Sequence, residues 1–490
     1  MAERRAFRHI HGAGIGSPYA DDRLTASPVP RQSQTTRVAP DRVLFLVVLW
    51  TVTAIALTIM QDASVPVRAA VLAMPLAVTL AAVLLHPAEG FALSAIGITF
   101  MIGETGFQLD VGQVRISALE VVAVLLLLLL MWFRRRSREF EGVALRVPGW
   151  GFLAAFAIYA SFWLLIGLLR GDALDTALVQ SKGFLLYPCL ALIMLAGVRN
   201  KRDLGICIVV AAVIYAMIAT RGIWQFIQGE QTAASDVTFR SSGNYGPINV
   251  YGITLVSMTM LLLGLAMGAT QRPVRVLSLL TAVWLFVGAN ASVSRTVWVA
   301  FAAGVLWLLI ADRRGRGVAL VMILAAILIL AVTPESAFER LSHLSDSSAL
   351  KRQFYLTTGW QAVLRSWLVG SGWGQGFWYT PLSGLVPTGS VPWYHNDYLN
   401  LWVQVGATGL LLYLGFWGSL VVSAVTWLKK NLDAPSRGIV LGGGAALVSL
   451  LISAFFEHVL WRPDVAGVVG WTAGILLVGM RLEGLRQRAA

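Results

Sequence analysis

Apolar stretches of about the twenty residues that a helix needs to cross a bilayer recur along the chain from residue 43 to residue 480, each ended by charges or by Gly and Pro. They predict spans at 43–60, 67–86, 88–103, 118–133, 149–169, 184–198 and 204–226. After a polar stretch come spans at 248–270, 276–293, 297–311, 318–333, 406–428, 438–456 and 465–480. The third is short and fits a re-entrant segment equally well. The expected fold is an all-α polytopic transmembrane helical bundle of about 12–14 spans. It divides into a flexible tail (1–42), an N-terminal set of membrane helices (43–333), a long loop between late spans (334–405), a C-terminal set (406–481) and a short tail (482–490). No signal-peptide pattern stands ahead of the first apolar run.

Composition agrees with lipid as the solvent, since 57% of residues are hydrophobic and only 13% charged, too few polar groups to cover a water-soluble globule. The net charge of +13 raises the possibility of nucleic-acid binding, but the positions of the cations speak against it. Lys and Arg collect in the N-terminal tail, at Arg134–Arg136 and Arg138, at Arg199, Lys201 and Arg202, at Arg272 and Arg275, at Arg313, Arg314 and Arg316, at Lys429 and Lys430, and at the C-terminus. All of these fall on one side of a fourteen-span arrangement. That is the positive-inside pattern, and it predicts both termini in the cytoplasm with the 334–405 loop outside. Only two cysteines occur, Cys189 and Cys207, both in apolar runs, so neither a disulfide nor a metal site is expected.

Candidate chemistry concentrates on the outer side. Within the long loop, Leu350, Phe354, Leu356, Trp360, Val363, Leu364 and Trp367 repeat at helical spacing and predict an amphipathic helix on the membrane surface. Gly370-Ser371-Gly372-Trp373-Gly374-Gln375-Gly376 resembles a phosphate loop only superficially, because no strand precedes it and no Lys-Ser/Thr follows it; a glycine-rich structural turn is the plainer reading. His395 falls where the loop re-enters the membrane, either as a hydrogen-bonded interfacial side chain or as a proton acceptor for a substrate hydroxyl. Arg221 lies in an otherwise apolar stretch and Arg295 between two spans, with Lys182, Arg240, Lys351 and Arg352 on the same side. Such cations either snorkel to headgroups or pair with Glu230, Asp236 or Glu457, or they form a site for a lipid diphosphate, whose oxygens suit the guanidinium fork. Acids inside the spans are scarce, Glu120 being the main one, which argues against an ion-coupled transporter.

Ser294-Arg295 after an apolar run, a long outer loop, and His395-Asn396-Asp397-Tyr398-Leu399 followed by Gly406-Ala407-Thr408-Gly409-Leu410 resemble the O-antigen ligase and polymerase superfamily. Ser242-Gly243-Asn244-Tyr245-Gly246-Pro247-Ile248-Asn249 and Trp367-Leu368-Val369-Gly370-Ser371-Gly372-Trp373-Gly374 fit the same pattern, and the resemblance runs over roughly residues 180–430. Two positions depart from it: Gln404 stands where many members carry Glu, and Ser366-Trp367 where a Pro usually precedes the turn. The resemblance implies a GT-C-like inverting glycosyltransferase at the periplasmic side of the bacterial inner membrane, with no cofactor, metal or nucleotide sugar. Its donor would be a glycan on undecaprenyl diphosphate. It implies His395 as general base, Asn396 or Asp397 orienting it, and Arg221 and Arg295, with Arg240, Arg352, Lys182 and Asn396, facing the diphosphate.

The reading from sequence is therefore a transferase of lipid-linked glycan, inclined to the polymerase of a surface or secreted polysaccharide because of the N-terminal tail and extra spans. A chain-length regulator or flippase would be a natural partner. Ligation to lipid A-core or to a protein side chain remains open, and an anion transporter is the alternative outside enzymes.

Overall fold

The computed structural model describes residues 65–102, 108–111, 114–136, 147–169, 174–228, 248–312, 347–373 and 394–489, with scattered positions at 45–53 and 316–327. The chain is helical as expected: α1 (Val65–Leu85), α2 (Pro87–Met101), α3 (Ala118–Arg136), α4 (Trp150–Leu169), α5 (Leu174–Gly197), α6 (Lys201–Gln228), α7 (Ile248–Gly268), α8 (Arg272–Asn290), α9 (Arg295–Ala311), α10 (Ser347–Arg365), α11 (Asp397–Leu428), α12 (Ala434–Ser453) and α13 (Pro463–Ala489). Among the described residues, α4–α8 and α11–α13 are long and apolar enough to cross a membrane, and α1, α2, α3 and α9 contain shorter apolar stretches. The protein is a multi-pass membrane protein.

Three features were not expected. A two-stranded hairpin, β1 (Gln108–Val111) and β2 (Val114–Ser117), joins α2 to α3, with Leu109 opposite Ile116. Strands of four residues are too short to show a periodicity of their own. The helix holding the 184–198 span begins at Leu174, because Lys182 lies against Glu120 (2.9 Å) and the polar turns before the apolar run are thereby tolerated. The helix holding the 406–428 span begins at Asp397 and bends at Gly406, where φ is 67°.

The middle of the bundle is the pair α7 and α12. Almost every residue of α7 is buried, and Gly264 and Gly268 face Gly438 and Gly442 so closely that a Cβ on Gly264 would lie 2.2 Å from the Gly442 Cα. In lipid no hydrophobic force draws helices together, so close approach of small residues supplies the attraction. α9 packs on both members of the pair, and Trp307 Nε1 donates to the Leu441 carbonyl (3.1 Å). α5 and α13 pack together beside them. The outer faces of α4, α6 and α8 expose large apolar side chains, Ile158, Val213 and Leu277 among them, as lipid contact demands.

α10 matches the expected amphipathic helix. Ala362 and Val363 pack with Tyr394, Leu399 and Val403 on the start of α11, while Leu356, Trp360 and Leu364 form an exposed stripe.

Candidate functional site

The site is assembled where α11 starts. Asn396 caps that helix, its side chain accepting from Leu399 N (2.9 Å). Asp397 is wholly buried, and its Oδ2 accepts from the backbone N–H groups of Val459 and Leu460 (2.6 Å each) while its Oδ1 lies 3.4 Å from His458 Nδ1. Asp397 N donates to Ala454 O (2.8 Å), and the Tyr398 hydroxyl donates to Leu451 O (2.7 Å). A carboxylate accepting two backbone N–H groups forms charge-assisted bonds, so the α12–α13 loop is tied firmly to the first turn of α11.

That tie brings Glu457 and His458 against His395. The His458 ring stacks on the His395 ring (5.0 Å between centroids, 29° between planes), and Tyr355 of α10 lies 5.7 Å away. Glu457 Oε2 is 3.6 Å from His395 Nδ1, an ion-pair separation beyond direct hydrogen-bond length. The other carboxylate oxygen, Oε1, accepts from Arg352 Nη2 (2.8 Å) and from the Asn249 side chain of α7. Burial alone would raise the Glu457 carboxyl, but the adjacent His395, then Arg352 and His458, outweigh it and hold the group below the ordinary glutamate value. His395 itself is half-exposed and takes a left-handed backbone conformation (φ 50°), which costs a non-glycine residue energy and persists because its surroundings hold it.

The other candidate residues are placed as follows. Arg352 joins His395 through their shared contact with Glu457. Arg295, half-buried, opens α9 after a turn in which Val293 also has positive φ (47°). That turn packs on Gly252, one helical turn from Asn249, so Arg295 begins its helix close to the same end of α7. Arg221 is exposed on α6, lining a mostly apolar groove of about 790 Å³ with Trp224 and Trp284. Lys182 is engaged with Glu120, whose carboxylate also accepts from Tyr187 (2.8 Å) and caps α3 through Ser117 N (2.9 Å). Arg240, most of Ser242-to-Asn249, and Gly374 onward in the glycine-rich run lie outside the described residues. Asn396 is an N-cap, and neither it nor Asp397 makes a described contact with His395; the acid beside the imidazole is Glu457.

The described part of the glycine-rich run is structural. Ser371 N and Gly372 N donate to the carbonyls of Val403 (2.8 Å) and Gln404 (2.9 Å), Ala407 N donates back to Trp367 O (2.8 Å), and Trp373 Nε1 donates to Ala160 O (2.9 Å). The turn therefore fills the break in α11 at Gly406. Among the described residues no cluster of His, Cys, Asp and Glu has the makings of a metal site.

In the sequence, Glu457 stands out only as a counter-ion for an arginine, Asn249 only as the last residue of a family-like motif, and His458 carries no assigned role. The one available signal was a Glu-His pair within the apolar sequence Phe455-Phe456-Glu457-His458-Val459-Leu460, in a chain where acids within apolar stretches are few.

Chemically, the site offers a half-exposed imidazole between a carboxylate and a second imidazole, with the Arg352 guanidinium alongside. It can take a proton and face an anion. The family model described as O-Antigen ligase matches residues 280–414, a stretch that contains Arg295, Arg352, His395 and the Gly406 bend. No curated protein matches the chain. Over residues 280–414, the chain is similar to the O-antigen ligase family.

Proposed function

We propose that the protein is an inverting glycosyltransferase of the inner membrane that moves a glycan from undecaprenyl diphosphate to an acceptor hydroxyl at the periplasmic face. The observation that carries this reading is the placement of His395, exposed enough to meet a substrate and set among charged groups at the mouth of the helix bundle. The acceptor oxygen attacks the anomeric carbon from the side opposite the diphosphate. The bond from that carbon to the phosphate oxygen breaks, and its electron pair leaves with the diphosphate. The hydroxyl proton passes to His395 as the new bond forms.

Fixed cations stabilise the charge that grows on the leaving group, a role in which preorganised guanidinium groups outperform solvent. Arg352 shares Glu457 with the imidazole and Arg295 opens α9 near the same end of α7, so these two face the leaving group, while Arg221 and Arg240 are the further candidates for holding the donor. Lys182, held by Glu120, contributes at most a background field. Asn396 acts by fixing the start of α11.

Within this class we favour the polymerase, whose acceptor is a second lipid-linked repeat, since the tail and the spans ahead of α8 add much chain to the matched segment. The test is the glycan profile of a deletion strain complemented with wild type, His395→Ala or Arg295→Ala, with membrane expression of each variant checked. His395→Ala should reduce transfer roughly 100-fold or more. Accumulation of single lipid-linked repeats identifies a polymerase, and accumulation of long chains on the carrier identifies a ligase. An unchanged profile for His395→Ala refutes the transferase reading.

A further inference from the structure

We propose that Glu457 is a positioning residue for the transfer reaction, holding His395 in the tautomer and orientation that leave Nε2 open to the acceptor hydroxyl. The inference rests on the glycan-transfer reading, and it extends the working site to the α12–α13 loop, beyond the segment that the family model matches.

The geometry divides the carboxylate into two jobs. Oε1 is fixed from two directions, by Arg352 of α10 and by Asn249 of α7, so the group cannot swing away. Oε2 is left facing His395 Nδ1 at 3.6 Å. Nδ1 is shielded from solvent and has no hydrogen-bond partner among the described residues. A carboxylate beside one ring nitrogen keeps the proton on that nitrogen and the lone pair on the other, and it stabilises the imidazolium once a proton is taken. Separations of this size commonly shorten when a substrate is bound. The loop is immobilised by the bonds of Asp397 to Val459 and Leu460, which fixes where Glu457 can stand.

The groups facing Glu457 are His395, Arg352, Asn249 and His458, and those facing His395 are Glu457, His458 and Tyr355. Replacing Glu457 by Gln removes the only acid among them. A neighbouring carboxylate favours the charged imidazole, so its loss moves the acidic limb of a base-dependent rate to lower pH.

The experiment uses the full-length chain in proteoliposomes supplied with lipid-linked donor and acceptor, comparing wild type, Glu457→Gln, Glu457→Asp and His395→Ala across pH. Glu457→Gln should lose about 100-fold in kcat, the scale of a misplaced catalytic group, with KM near the wild-type value and the acidic limb displaced downward. Glu457→Asp should recover part of kcat and keep the limb where wild type has it. A Gln variant with wild-type kcat and an unmoved limb overturns the proposal, and so does one that loses kcat without moving the limb, which marks a purely structural role. Should the Gln variant fail to reach the membrane, Glu457→Ala takes its place, and wild-type kcat with an unmoved limb in that variant overturns the proposal. Failure of the transferase reading looks different, because wild type would then transfer nothing or His395→Ala would match it.

Discussion

Asp397 shows how a single buried acid organises this protein. It has no exposure, yet its carboxylate is satisfied by two backbone N–H groups and a histidine, and in doing so it ties a loop to a helix start that lies far from it in sequence. Asp397→Ala would strand both donors, at about 1–3 kcal/mol for each buried group left unpaired. The variant should melt several degrees lower in detergent and lose transfer as well, because the loop that carries Glu457 is released. Glu457 is constrained differently. Its carboxyl sits below the ordinary glutamate value, so its pairing stabilises the fold at every pH above that ordinary value and fades only as pH falls through the lowered one. Acid titration should therefore leave this pairing intact until the pH falls below the ordinary glutamate range, which melting temperature followed against pH would show.

At the scale of elements, the bend of α11 and the turn at 370–372 are one construction. Gly370 (φ 81°) and Gly406 (φ 67°) face each other, and a Cβ on Gly370 would stand 2.4 Å from both Gln404 O and Gly406 N. Gly370→Ala and Gly406→Ala should each cost about 1–3 kcal/mol for the strained backbone, with the clash adding to it. The double variant should cost less than the sum, because the two sites share one contact. A double-mutant cycle on thermal melting checks this. The same region shows what a lone sequence discloses. The apolar part of α11 was legible, but its first turns hold Asp397, Asn400 and Gln404, polar residues that read as loop along the chain yet lie buried in the helix. His395 and Arg352 stood out by residue type and position along the chain. Glu457 and Asn249 did not, since their meeting depends on the packing of α7, α10 and α12, which periodicity along one helix cannot express.

For the whole molecule, the charge pattern predicts an orientation that reporters can test. Fusions after Ala490 should report the cytoplasm, and insertions in the 374–393 stretch should report the periplasm. An opposite result would place His395 on the wrong side for a periplasmic acceptor.

The glycine contact between α7 and α12 also has a mechanical meaning. Asn249 stands at one end of α7, and α12 delivers Glu457 at the same end of the bundle. With backbone touching backbone, the two helices behave as a rigid caliper whose jaws are the amide and the acid. When the surrounding bilayer thickens or thins, the lipid-facing helices α4, α6 and α8 can tilt to follow it while the jaws keep their spacing. Transfer should therefore vary little between bilayers of different thickness, and should fall when Gly264 or Gly442 is enlarged and the jaws are forced apart.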